Sequence, residues 1–399
     1  MLVLYLLNLR KHSNQVELDQ FFGEVTDPKK HHPSITKSAF FQARKQLSHT
    51  AFIDLNTQLI PSIYKAPSHL KTWRGLRLCA VDGTSIRLPD TPDITQHFGI
   101  HKGREGQANC TLGMASTFYD VLNKLIIDSS IHPSGTSEKS CVPQHLSHAT
   151  KNDLILYDRG YPAFWLYALH LKHNILFCMR AKTNQCLAVK SFIESNQKET
   201  TVTYHPNGPS QRTCLDKGLP IQPITLRLIR VDLPNEVEVL TTNVLDASKY
   251  EVSVFKSLYH LRWGIEENYK RLKQWVEIEN FSGKSVLSVK QDFYAKIVAA
   301  NVTSLMVMEA QVQTNNQTKK CKLKYQVNFA QALSKMKHQL PRLFLSSGTA
   351  LLQTIQRIIN SISIRREAVR KGRKTPRISK TSRTTSISHP IKVPCKLRC

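Results

Sequence analysis

Two short, mostly apolar runs in this chain each close on an aspartate with a glycine just behind it. Leu76–Val81 leads into Asp82-Gly83, and Leu154–Tyr157 leads into Asp158-Arg-Gly160. Such runs are too short for helices and read as strands buried on both faces. A carboxylate at the end of a strand projects into the crevice at the sheet edge, where ligands collect. Glycine there lets the backbone turn and a substrate come close. Taken singly, each Asp-Gly step also looks like an ordinary turn. Leu112–Phe118 and Leu125–Ile131 read as two further strands around a turn at Asp120–Asn123. Ala163–Leu171 is apolar at helical spacing and Ile175–Met179 is the next strand. Strands alternating with helices in this way predict an α/β fold.

The ends and the middle differ in texture. Residues 1–70 read as helical, with Phe40, Ala43 and Leu47 on one face and Phe52, Leu55, Leu59 and Ile60 continuing the pattern. No starting cap precedes the apolar opening Met1–Leu9, so the chain reads as beginning inside a longer element. Between 183 and 247 the runs Val202–Tyr204, Ile224–Val231 and Glu236–Thr242 are β-branched and separated by Asn-Gly-Pro, Lys-Gly and Pro-Asn steps, a β-rich insertion. Helices are expected after it, at roughly 249–275, 287–312, 325–338 and 348–364.

The first of these helices is the most informative. Ser248-x-x-Glu251 has the form of a capping box, which predicts a start near Lys249. Taking Tyr259 as zero and about 100° per residue, Arg262, Glu266 and Lys273 fall near −60°, −20° and −40°, a polar row within an arc of roughly 60°. Leu258, Ile265, Tyr269, Leu272 and Val276 fall between about −80° and −140°, an apolar stripe alongside. Such a helix packs by its stripe and presents the row at the packing margin. A surface row of ordinary charge pairs has the same geometry. Glu267 lies about 80° off the row and is set aside. Glu138, between the two aspartates, is a candidate for a group standing behind the site.

Charge narrows the partners. The chain has 56 Lys+Arg against 29 Asp+Glu, a net +27, and so basic a surface attracts polyanions, nucleic acid first. The tail 365–399 alone carries twelve Lys/Arg and one Glu amid Ser, Thr and Pro. It is expected to be disordered in isolation and suited to lie along phosphates. No apolar run reaches the roughly 18 residues of a membrane span, and no signal peptide is read. Nine cysteines without a CxxC pair argue against both a disulfide framework and a zinc site. His31-His32, the only adjacent histidines, are a weak metal candidate.

Tyr259-x2-Arg262-x3-Glu266-x6-Lys273 resembles the Y-R-E-K signature of the insertion-sequence-four family of DDE transposases. Asp82-Gly-Thr84 with Leu88–Pro92 and Phe98-Gly99 resembles that family's first-aspartate block. Asp158-Arg-Gly-Tyr161 resembles its second, and Tyr259–Glu266 with Trp263 its glutamate block. The order and the gaps, 76 residues from Asp82 to Asp158 and 108 from there to Glu266, also fit.

The resemblance implies an RNase-H-like mixed sheet flanked by helices, with a β-rich insertion before the catalytic helix and helical regions at both ends. The catalytic core would occupy 71–182 and 248–312, split by the insertion at 183–247. A DNA-binding helical region would span 1–70, with C-terminal helices at 313–364 and the basic tail at 365–399. The resemblance also implies a metal-binding triad of Asp82, Asp158 and Glu266 holding two Mg²⁺, with Mn²⁺ able to substitute. Tyr259, Arg262 and Lys273 would contact DNA near the cleaved phosphate, and Trp263 would stack on an unpaired base. The expected activity is cut-and-paste transposition: cleavage at the terminal inverted repeats and joining to target DNA, by a homodimer assembled on DNA in a bacterial cytoplasm, at the nucleoid. A metal-dependent nuclease that does not join, or an inactive DNA-binding remnant, are the alternatives. The chemistry agrees. Phosphodiester hydrolysis and transesterification need an activated oxygen nucleophile and a stabilised leaving oxygen, which paired divalent ions supply to water and to a 3′-OH alike.

Overall fold

The computed structural model describes residues 1–8, 13–25, 35–65, 69–102, 109–234, 236–337 and 339–370. His31-His32 and the tail from 371 onward lie outside the described residues. The chain divides into two units, one formed by Lys45–Met308 and one by Met1–Arg44 with Glu309–Cys399. Among the described residues no helix is long and apolar enough to cross a membrane.

The larger unit is built on one mixed sheet. Its strands are β1 (Arg77–Arg87), β2 (Ile100–His101), β3 (Cys110–Asp120), β4 (Leu125–Pro133), β5 (Asp153–Tyr157), β6 (Leu176–Arg180), β7 (Glu199–Tyr204), β8 (Ile224–Asp232) and β9 (Val237–Thr242). The order is β2-β3-β1-β5-β6-β9-β8-β7, with β4 also on β3. Three antiparallel strands, β4-β3-β1, continue into two parallel ones, β5 and β6, which is the RNase-H-like arrangement. The strands of the 183–247 segment extend this same sheet, because β9 pairs antiparallel with β6 from Cys178↔Thr242 to Arg180↔Leu240.

The parallel register positions the aspartates. Arg77 pairs with Asp153 and Ala80 with Leu156, an offset equal to the separation of Asp82 and Asp158 in the sequence. Continuing that offset sets the two aspartates level on neighbouring strands. The register is anchored at the other end, where Arg77 grips Asp153 through two bonds, Nε–Oδ1 at 2.7 Å and Nη2–Oδ2 at 2.5 Å. Both strands are apolar on both faces there; Leu78–Val81 and Leu154–Tyr157 are fully buried.

The strand β1 does not end at Asp82. It runs on through Gly83 to Arg87, paired to β3 throughout, so Asp82-Gly83 is strand interior rather than a turn. The helix expected at 249–275 is two helices, Val252–His260 and Trp263–Gln274. The capping box does not form: Asp246 Oδ1 takes both the Ser248 hydroxyl (2.6 Å) and the Lys249 N–H (3.0 Å), and Glu251 becomes the N-cap. This local turn outcompetes the longer cap. At the break, Leu261, Arg262, Gly264 and Ile265 each bond three residues back, a tighter winding than the α-helical one. Gly264 permits a close crossing, since a Cβ there would lie 2.5 Å from Val121 Cγ1 beside the β3–β4 turn.

The outer edge of β4 is covered. Asn301, on the long helix Val286–Gln317, accepts from Ile126 N (2.8 Å) and donates to Ile126 O (2.8 Å) and to Asn56 Oδ1 (2.7 Å). Asn56, on the helix Thr50–Lys65, donates to Ile127 O (3.1 Å). Two helices are thereby hydrogen-bonded to a strand edge that would otherwise expose its backbone.

The smaller unit packs Tyr5 edge-on against Phe21 (5.4 Å) and Phe40 (4.9 Å) and buries an ion pair, Lys337 Nζ to Glu17 Oε1, at 3.0 Å. The helix expected at 325–338 is instead a strand, Tyr325–Val327, followed by the helix Phe329–Met336. Asn328 caps that helix by accepting from Gln331 N (3.0 Å). The strand pairs with Arg366–Ala368, the first residues of the basic segment. An aromatic and a valine flanking one glutamine suit a strand as well as a helix turn, and the pairing decides.

Replacing Asn301 with Ala strips the Ile126 N–H of its partner in a buried setting. It should cost about 2–3 kcal/mol, read as a lower urea midpoint. An unchanged midpoint would show that the edge is protected by something else.

Candidate active site

Asp82 sits in β1 opposite Thr117 of β3, and Asp158 follows the last residue of β5. Glu266 lies in the first turn of Trp263–Gln274. What gathers them is Arg262. Its Nη2 donates to Glu266 Oε1 at 2.7 Å, its Nη1 stands 3.9 Å from Asp82 Oδ2, and its charge is stabilised by Asp158 as well. The guanidinium is buried, and its Nε has no hydrogen-bond partner.

The carboxylates repel one another. Burial pushes the Asp82 carboxyl up to about 7, with the charges of Glu138 and Asp158 adding to it against the Gly83 N–H and Arg262. Burial raises Glu138, with Asp158 adding to it and the Tyr161 hydroxyl opposing. Glu238, on β9, is raised by burial and feels both Asp158 and Arg262, while its oxygen accepts from Arg180 at 2.9 Å. An open cavity is lined by Arg159, the chain neighbour of Asp158, with Arg180, Lys182, Glu236 and Glu238.

Two tyrosines hold the backbone under the acids. Tyr259 donates to Tyr157 O at 3.2 Å, just before Asp158. Tyr269 donates to Asp82 O at 2.7 Å. Lys273 reaches along β1 to donate to Ser85 O at 2.6 Å, 3.9 Å from Glu279; burial lowers its pKa. Trp263 is 43% exposed, with the Arg262 guanidinium 6.0 Å from its ring. The structure therefore brings Asp82, Asp158, Glu266 and Arg262 together. It sets Trp263 outward beside them, Lys273 farther along β1, and the Tyr259 hydroxyl inward on a carbonyl.

Glu138 stands closer to the centre than its place in the sequence suggested. Arg180, Glu238, Tyr161 and Tyr269 were not singled out for the site. Tyr161 stood within the second-aspartate block and Tyr269 within the apolar stripe. Nothing in the sequence marked the other two, whose position depends on β9 pairing with β6.

Among the described residues no three His, Cys, Asp or Glu side chains are gathered tightly enough to hold a metal ion. The guanidinium occupies the middle of the acids instead. The chemistry of the donor set nevertheless suits a divalent cation: every candidate ligand is a carboxylate oxygen, the preference of Mg²⁺, and the acids already surround a positive charge.

The profile of the transposase DDE domain matches residues 73–302, and the chain belongs to that family, as a DDE transposase of the insertion-sequence-four type. It is similar to the transposase InsG for insertion sequence element IS4 of Escherichia coli (strain K12), 24% identical over 287 residues, which is 69% of this chain and 62% of that protein. The chain thus spans less than two thirds of that relative's length. A cryo-EM structure of the piggyBac transposase synaptic complex with hairpin DNA aligns over 94% of this chain and 76% of that one, at 10% identity and a TM-score of 0.40.

The raised Asp82 carboxyl sets a stability trend for the metal-free protein. Its folded-state value lies above the unfolded one, so the folded state holds the proton more tightly. No penalty applies below about pH 4, and stability is lost as the pH climbs from there to about 7. Asp82→Asn should therefore melt close to wild type at pH 4 and several degrees higher at pH 8, by calorimetry in EDTA. Equal melting temperatures at pH 8 would contradict this.

Proposed function

We propose that this chain binds the terminal inverted repeats of an insertion sequence and catalyses divalent-metal-dependent strand cleavage and strand transfer, the steps of cut-and-paste transposition. The observation that carries the reading is the meeting of Asp82, Asp158 and Glu266 around one buried guanidinium, within a DDE transposase domain.

In this reading the three carboxylates hold Mg²⁺, or Mn²⁺ in its place. Bound divalent ions supply activation of the attacking oxygen and stabilisation of the leaving one. Cleavage breaks a P–O3′ bond with water as nucleophile and leaves a 3′-OH. Joining uses that 3′-OH to attack a target phosphate, releasing the target's own 3′ oxygen. Arg262, relieved of the acids by an incoming cation, can fork onto phosphate oxygens, and Lys273 offers a point charge farther along the strand. Trp263 presents an exposed face for stacking on an unpaired base. Tyr259 flanks the DNA path and fixes the backbone that carries Asp158. Two transposon ends must be held at once, so the working form is a homodimer on DNA. A DNA substrate and so basic a tail suit work at the bacterial nucleoid.

The test is a labelled duplex carrying candidate inverted repeats, incubated with Mg²⁺ or Mn²⁺. Nicked plus joined products are expected. Asp82→Asn, Asp158→Asn and Glu266→Gln should each bring cleavage to background while a gel shift persists. Cutting without joining would reduce the function to a nuclease, and near wild-type cleavage by any variant would remove that residue from the site. Neutralising the basic residues of 365–399 should weaken DNA binding and shallow the log K against log salt slope by about one for each phosphate that the tail no longer neutralises. An unchanged slope would exclude the tail from binding.

A further inference from the structure

We propose that Glu138 is a fourth carboxylate of the metal site, admitted to it by Gly83 and joining Asp82 and Asp158 around the cation whose place the Arg262 guanidinium now takes. The proposal rests on the metal-dependent reading above and adds a residue to it.

Gly83 supplies the first observation. It lies in the interior of β1, paired with Ser116. Glycine weakens a strand at such a position unless another group must come close. Here one does: a Cβ on Gly83 would stand 2.5 Å from both Cγ and Oε1 of Glu138. Any other residue beside Asp82 would displace that carboxylate.

The segment carrying Glu138 is fixed in place. Glu138–Cys141 is a single 3₁₀ turn leading into the helix Val142–Leu146. His145 of that helix is fully buried, with Nε2 2.8 Å from Ser116 Oγ and Nδ1 2.7 Å from Asp128 Oδ2. Ser116 is the same residue that pairs with Gly83, so the helix is pinned to the rung of the sheet that Glu138 overlies.

Tyr161 lies at the same place. Its side chain is 1% exposed, and its hydroxyl stands by Glu138 under the charges of Glu138 and Asp82, close enough to favour the Glu138 carboxylate but short of a full hydrogen bond. A water held by a cation between these acids would complete its bonding.

The charge count agrees. Asp82, Asp158, Glu266 and Glu138 present four negative charges. Among the described residues Arg262 is the cation that meets them, since Arg180 is taken by Glu236 and Glu238. Two divalent ions would balance four carboxylates and free the guanidinium for the substrate.

The test measures Mn²⁺ binding to the full chain without DNA, by titration calorimetry and by the rise in melting temperature that Mn²⁺ produces. Glu138→Gln should weaken Mn²⁺ binding by about tenfold to a hundredfold, while the metal-free protein melts no lower than wild type. Glu138→Asp should recover part of the affinity. Gly83→Ala should weaken Mn²⁺ binding by a similar factor, and the double variant Gly83→Ala/Glu138→Gln should be no weaker than the worse single. Wild-type Mn²⁺ affinity in Glu138→Gln, with the expected loss in Asp82→Asn and Asp158→Asn, would overturn the role of Glu138 and leave the triad standing. Unchanged affinity in all three would overturn both. Additive losses in the double variant would show that Gly83 does not act through Glu138.

Discussion

A buried positive charge among carboxylates is the condition on which this site is built. Carboxylates brought together out of water are costly unless a cation lies between them, and Arg262 is that cation. It is fixed by the bond to Glu266 on its own helix segment and reaches across to the strand that carries Asp82. The 3₁₀-like turn at Leu261–Arg262 matters for this reason. A continuous α-helix through 249–275 would place Arg262 and Glu266 on the row that the periodicity describes. The break leaves them one turn apart at the very start of a new helix, where the positive end of the helix dipole also favours Glu266.

The sheet supplies the other half of the geometry. Two aspartates on parallel neighbours meet only if the register equals their spacing in the chain, and the Arg77–Asp153 pair at the opposite end of the strands holds that register. Gly83 and Gly264 then set distances rather than turns. One lets a carboxylate come against the strand, and the other lets the helix that carries Glu266 come against the β3–β4 turn. Neither has the left-handed backbone that would call for glycine on conformational grounds.

These features divide what could be read from the sequence from what could not. The apolar runs at 76–81 and 153–157 and the polar row Arg262–Glu266 are local patterns, and local patterns survive folding. Leu78–Val81 and Leu154–Tyr157 are buried as their composition implies. Gly83 misled because an Asp-Gly step looks the same whether the chain turns or a distant residue needs the room. The capping box misled because Asp246, two residues before Ser248, takes up the Ser248 hydroxyl and the Lys249 N–H in a local turn. Tyr269 reads as apolar on a helical wheel, yet its hydroxyl is spent on the Asp82 carbonyl. Glu138 was marked only by lying between the two aspartates in the chain. Its place is set by His145, Ser116 and Asp128, which come from three different elements.

The 183–247 segment shows how far such non-local pairing reaches. Its alternating β-branched runs announce strands but do not name their partners. Once β9 pairs with β6, Arg180 at the end of β6 lies beside Glu236 and Glu238, and the charge of Glu238 reaches Asp158 and Arg262. The segment is therefore a wall of the site and not an appendage to it. With β9 in place, Arg159, next to Asp158 in the chain, borders a cavity whose lining mixes Arg180 and Lys182 with two glutamates. The extra strands bring charge to Asp158 and Arg262 from Glu238, and that gives a physical reason for a β-rich segment to interrupt the core between Asp158 and Glu266.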